Sequence, residues 1–135
     1  MHYFAPAMNK QLITSGTEWE KLYGYSRAVK VGNIIAVSGT TAVDENGNVI
    51  GENDPYAQTV FIYQKIEKAL QQAGATLNDV IRIRTFITDM SRYEEVLKAQ
   101  GEFFTNIRPA ATLVEVTALI DKRLMVEVEA DAVSV

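Results

Sequence analysis

Residues 54–87, DPYAQTVFIYQKIEKALQQAGATLNDVIRIRTFI, hold a helix and then a strand, and their order decides the fold class. Asp54 is an N-cap residue, and Pro55 follows at the first helical position, where a missing N–H costs nothing. Val60, Tyr63, Ile66, Leu70 and Ala73 recur at spacings of three and four and form one apolar stripe. Gly74 stands where a helix C-terminus favours positive φ. The stretch 80–87 then alternates, with Ile81, Ile83 and Ile87 on one face and Arg82 and Arg84 on the other.

Working outward, a second helix is expected from Ser91. Glu94 three residues on completes a capping box, and Val96, Leu97, Phe103 and Phe104 supply an apolar side that Gly101 weakens. The other segments read as strands. Residues 24–31 lead through Gly32-Asn33, a hairpin signal, into 34–38. Residues 40–44 lead through the turn 45–48 into Val49-Ile50. Residues 112–116 alternate weakly. Near the end, Val126, Val128 and Ala130 oppose Glu127, Glu129 and Asp131. Strands, helix, strand, helix, strands predicts an α+β protein: a mixed β-sheet with two helices packed on one face.

Composition narrows the chemistry. The 135 residues are 47% apolar and 22% charged with a net charge of −4, which fits a single folded domain over 1–135 and no nucleic-acid partner. There is no cysteine, so disulfides, thiol nucleophiles and thiolate metal sites are excluded. The one histidine, His2, lies in a segment, 1–8, expected to be loose, so no metal site is expected. Met8 is an alternative start. No stretch is apolar enough for a membrane span and the first residues lack a secretory pattern, so a cytoplasmic protein is expected.

If the helices cover one face of the sheet, the other carries Arg82, Arg84, Glu127 and Glu129 among apolar residues. Two readings stand: a solvated face with weak ion pairs, or a subunit interface with partly buried, paired charges.

Several motifs now resemble one family. Gly24-Tyr25-Ser26-Arg27-Ala28-Val29, Gly32-Asn33 and Val37-Ser38-Gly39 are similar to the opening of the RidA (YjgF) reactive-intermediate deaminases. Asp79-Val80 with Phe86-Ile87-Thr88-Asp89 resembles the family's middle strand. Arg108-Pro109-Ala110, Leu113-Val114-Glu115-Val116 and Val126-Glu127-Val128-Glu129-Ala130 resemble its C-terminal signature. The resemblance implies a chorismate-mutase-like fold and a homotrimer with a small-molecule cleft between neighbouring subunits. It also implies hydrolysis of imines and enamines such as 2-aminoacrylate without a cofactor.

Carried over by position, the resemblance makes Tyr25 the cleft tyrosine and Glu127 the carboxylate that positions water or moves a proton, in a space that Glu127 is expected to share with Tyr25 of a neighbouring chain. Ser38 offers a hydroxyl, Gly39 lets the backbone approach, and the backbone near Leu113 completes the site. Two positions depart from the pattern. Gly24 replaces the usual proline, and Ala111 replaces the arginine that grips the substrate carboxylate. Arg27, two residues from Tyr25 and on its face if the strand is regular, is the best substitute. The expectation is an imine or enamine hydrolase with weak or no activity on 2-aminoacrylate. The alternative is a non-catalytic trimer that binds a small metabolite.

Overall fold

In the computed structural model, which describes residues 9–135, six strands form one sheet. The strands are β1 (Lys10–Ile13), β2 (Ala28–Val31), β3 (Ile34–Thr41), β4 (Val80–Ile87), β5 (Ala110–Glu115) and β6 (Val126–Val133), in the spatial order β1-β2-β3-β6-β4-β5. All neighbours run antiparallel except β4 and β5, which are parallel. That parallel pair needs a crossover, supplied by the helix α3 (Tyr93–Phe104). The longer helix α2 (Pro55–Gln72) lies against β3 and β6 and packs on α3. The expectations for residues 1–8, including Met8 as a start, lie outside the described residues.

The apolar stripe of α2 makes the core. Tyr63, Ile66, Leu70 and Ala73 are buried with Ile62 between them, against Ile35, Ile83, Val126 and Val128 of the sheet. Each such aliphatic side chain contributes about 1.5–3 kcal/mol on burial. The α2 cap forms as expected, with the Ala57 N–H donating to Asp54 Oδ1 at 3.0 Å. Gly74 takes φ +78 just past the helix. Tyr63 and Thr85 carry buried hydroxyls with no aligned hydrogen-bond partner.

The structure corrects the sequence reading in five places. Ser91 does not cap α3: Asp89 accepts from both its N–H and its hydroxyl, which winds Met90–Arg92 into a 3₁₀ turn and delays α3 to Tyr93. Ile81 is exposed, because an irregularity in the β4–β6 register between Val80 and Arg82 turns it away from the face that holds Val80, Ile83, Thr85 and Ile87. Val49-Ile50 is no strand; Val49 makes one bridge to Val43. Residues 24–27 are not strand either, since a short helix α1 (Glu18–Tyr23) ends there, and β1 was not anticipated.

Gly24 caps α1 at φ +72. Proline, held near −65°, cannot occupy that position. Gly24 thus fits the turn that ends α1. This helix is fastened by Glu20, whose buried carboxylate accepts from the Thr14, Ser15 and Thr17 hydroxyls and the Ser15 N–H. Burial pushes that carboxyl up, but these hydrogen bonds together outweigh it and hold it below the usual glutamate range.

Candidate functional site

Helices cover one face of the sheet. On the other, β6 presents Glu127, Glu129 and Asp131, and β4 presents Arg82, Arg84 and Phe86. Arg84 pairs with Glu129 at 3.4 Å and Asp131 at 3.0 Å. Glu127 has no ion pair among the described residues. Its carboxylate instead lies against Gly39 of β3: an ideal Cβ there would clash with Oε2 and stand 3.1 Å from Cδ. Burial raises the Glu127 pKa above the usual range; Arg27 opposes the shift and Glu129 adds to it.

Gly39 sits where the β3–β6 register slips between Val37 and Thr40. Its carbonyl oxygen accepts from Arg27 Nη2 at 2.6 Å. Ser38 Oγ donates to the Ser26 carbonyl at 2.6 Å, so its hydrogen is committed and its lone pairs remain. Arg27 carries a buried Nε with no partner. Burial lowers its pKa, while Tyr25, Glu20 and Glu127 favour its charge. Tyr25 does not share a regular strand face with Arg27, because it lies in the connection from α1, its N–H donating to the Glu20 carbonyl at 3.0 Å. Its side chain is 42% exposed.

One chain thus brings Tyr25, Arg27, Ser38, Gly39 and Glu127 into one neighbourhood, where the expectation from sequence is that Glu127 meets Tyr25 of a neighbouring chain. Ala111 and Leu113 are elsewhere, on the edge strand β5. Ala111 pairs with Ile83, which pairs with Ala130, and Glu127 is three residues further along β6. At about 4.8 Å between strands and about 3.3 Å per residue, Ala111 and Glu127 stand roughly 14 Å apart. No single small substrate touches both within one chain. Most of β5 is exposed, Val114 by 41%. Of the other arginines considered, Arg123 is held by Asp121 at 2.8 Å, and Arg108 is exposed at φ +58 in the turn after α3.

A groove of about 460 Å3 opens beside this neighbourhood, between α2, the turn at 43–46 and the end of β1. Arg27 lines it; Tyr25, Ser38, Gly39 and Glu127 do not. Lys65 lines it too, a residue that the sequence reading missed. Its surroundings come from the Thr41 and Val43 carbonyls, 24 and 22 residues away, and no local pattern records them. No helix among the described residues is long and apolar enough to cross a membrane.

An α+β protein with a mixed six-stranded sheet, two main helices on one face and a charged opposite face is the class defined by these features. The family model described as Endoribonuclease L-PSP matches residues 9–134, and the chain belongs to this family, the YjgF/RidA group. It is 36% identical over 120 residues to an uncharacterized protein of Streptomyces coelicolor, covering 89% of each chain. It is 33% identical to a RutC family protein of Pyrococcus abyssi, covering 93% of this chain and 98% of that one. Among solved structures it is similar to Rv2704 of Mycobacterium tuberculosis, a member of the YjgF/YER057c/UK114 family. That match has 45% identity and a TM-score of 0.84, over 93% of this chain and all (100%) of the other.

Proposed function

We propose that this chain is a RidA-type hydrolase of small imines or enamines, assembled as a homotrimer, with each site completed across a subunit boundary. The observation that carries the reading is Glu127, a half-buried carboxylate with no ion pair among the described residues and a raised pKa, beside Gly39 and within the field of Arg27. In the proposed reaction the Glu127 carboxylate takes a proton from water as the water oxygen adds to the imine carbon. The C=N π pair moves to the nitrogen of the protonated imine, which gives a neutral carbinolamine. Glu127 then returns its proton to that nitrogen, which leaves as ammonia, while the carbinolamine hydroxyl gives its proton back to the Glu127 carboxylate and becomes the carbonyl. A carboxyl group with a raised pKa suits both directions of that transfer. Tyr25 and Ser38 would orient the substrate.

The distance between Ala111 and Glu127 within one chain supports a site shared by two copies. Exposed β5 would bring Ala111 and Leu113 of one subunit to the Glu127 neighbourhood of the next. Alanine offers no hydrogen bond to a carboxylate, whereas the family's arginine offers two. Substrates without a carboxylate are therefore preferred over 2-aminoacrylate, with Arg27 the remaining guanidinium near the site.

The same substitution favours a second reading, a non-catalytic trimer that binds a small metabolite in the cleft. RNA cleavage is disfavoured by the net charge of −4 and by the absence of a histidine base among residues 9–135. The deciding assay follows ammonia and carbonyl release from enzymatically generated imines, with and without a carboxylate. Glu127→Gln should lower kcat/KM by roughly 100-fold or more. Turnover indistinguishable from buffer on every imine, with ligand binding retained, would favour the binding protein.

A further inference from the structure

The groove between α2 and the 43–46 turn contains an amine whose hydrogen bonds are unusual for a surface lysine. Lys65 Nζ donates to the Thr41 carbonyl at 2.8 Å and the Val43 carbonyl at 2.9 Å. No carboxylate pairs with it among the described residues. The acids lining the groove are occupied elsewhere. Asp44 accepts from the Asn46 and Asn48 N–H groups at 2.9 and 2.8 Å, and Glu45 pairs with Lys68 at 3.1 Å.

Two donated hydrogens are what a neutral amine keeps. When Lys65 loses its third proton it gives up neither carbonyl, and the lone pair takes the remaining tetrahedral position. Two influences favour that loss. Burial comes first and the charge of Arg27 second; Asp44 and Glu20 oppose them, and the pKa falls to about 8. Arg27 and Lys65 are the two cations of this groove not tied to a carboxylate, so an anionic ligand is favoured there. Phe61 provides an apolar wall, its ring centroid 6.0 Å from Nζ.

We propose that Lys65 is a nucleophilic amine that condenses reversibly with a small carbonyl compound bearing a carboxylate, held in this groove by Arg27. The nitrogen lone pair forms a bond to the carbonyl carbon, and the C=O π pair moves to oxygen, which takes up the proton released by nitrogen. In the resulting carbinolamine the nitrogen lone pair forms the C=N bond to Lys65 as the hydroxyl leaves, and the second proton of the amine goes with it as water. One water is released, nothing is oxidised or reduced, and water reverses the step. The groove shares Arg27 with the site assigned to imine hydrolysis, but Glu127 does not line it. Its ligand class includes the 2-oxo acids that hydrolysis of amino-acid imines releases.

The test is reductive trapping on the full chain. Wild-type protein is incubated with pyruvate and cyanoborohydride near pH 8, and adducts are mapped by peptide mass spectrometry. Lys65 should carry adduct at least about tenfold faster than any other lysine, because an ordinary lysine with a pKa near 10.4 is almost wholly protonated there. The rate should rise through about pH 8, and acetone, which lacks the carboxylate, should label Lys65 more slowly. Lys65→Arg, checked for native circular dichroism, should lose the selective adduct. Adducts spread evenly over the lysines would overturn the proposal, and so would equal labelling by acetone. Both readouts use the wild-type protein, so they hold even if the variant fails to fold, and neither depends on imine hydrolysis.

Discussion

The Glu127 carboxylate occupies the space that a side chain at residue 39 would need. Gly39 therefore admits the neighbouring strand's acid, and its carbonyl is at the same time held by Arg27 at 2.6 Å. Sequence reading assigned this glycine to a close approach of backbone and ligand. In the structure the close approach is to Glu127.

Gly39→Ala should separate site from fold. The new methyl group meets the flexible end of Glu127, which can swing outward, so stability should fall by no more than about 1 kcal/mol. The displaced carboxyl should regain water and lose part of its raised pKa. Carbon NMR titration of Glu127 in the variant checks this; an unchanged titration would mean that the carboxyl did not move.

For Glu127→Gln the pH dependence has a definite sign. The folded-state pKa is raised, so the stability linked to it is fully present below the ordinary glutamate value. It is lost as pH rises through the folded value. The wild type should lose this increment on going from acid toward neutral pH, and the Gln variant should lack the step. Urea melts across that range measure it.

Ala111→Arg should raise kcat/KM on carboxylated imines, provided the cleft accommodates the side chain, because a guanidinium fork restores two charge-assisted hydrogen bonds. The comparison is with wild type and Arg27→Ala on an amino-acid imine. Robust wild-type turnover that survives Arg27→Ala would refute the assignment of carboxylate binding to either position. Loss on Arg27→Ala alone would locate the clamp at Arg27.

Sedimentation at micromolar concentration should find a trimer. A dominant species near 15.0 kDa would count against both the assembly and the shared site.

Alkaline stability should fall through Tyr63. Burial raises its pKa, with the Thr85 hydroxyl opposing, so the folded protein keeps a proton that the unfolded chain releases near pH 10. Tyr63→Phe should stay within about 1 kcal/mol of wild type at neutral pH, since the hydroxyl has no aligned partner. It should also lose less stability above pH 10. Parallel wild-type and variant slopes there would contradict the assignment.

The legible parts of the fold were those written in local spacing. Asp54-Pro55, the α2 stripe and the alternation of Val126 to Asp131 each carry a period and a cap within a few residues. The edge of β4 misled because a register irregularity at Ile81 leaves no mark in composition. The Ser91 capping box failed because Asp89, two residues earlier, competes for the same N–H and hydroxyl. Helix α1 has six residues and three exposed large apolar side chains, Trp19, Leu22 and Tyr23, so no amphipathic stripe announces it. The candidate site divided the same way. Motif order singled out Tyr25, Ser38, Gly39 and Glu127 as candidates, whereas the surroundings of Lys65 arise from chain segments that meet only in the fold.

The strand order has a consequence for synthesis. Among the described residues β6 is the last strand in sequence, yet it lies between β3 and β4 and joins the two halves of the sheet. Without residues 126–133, the strand pairings that remain are β1–β2–β3 on one side and β4–β5 on the other, and the edges of β3 and β4 have no partner. Such edges invite pairing with other chains. Completion of the sheet therefore waits for the final strand to emerge from the ribosome, and until then the two halves are exposed to association with neighbouring nascent chains.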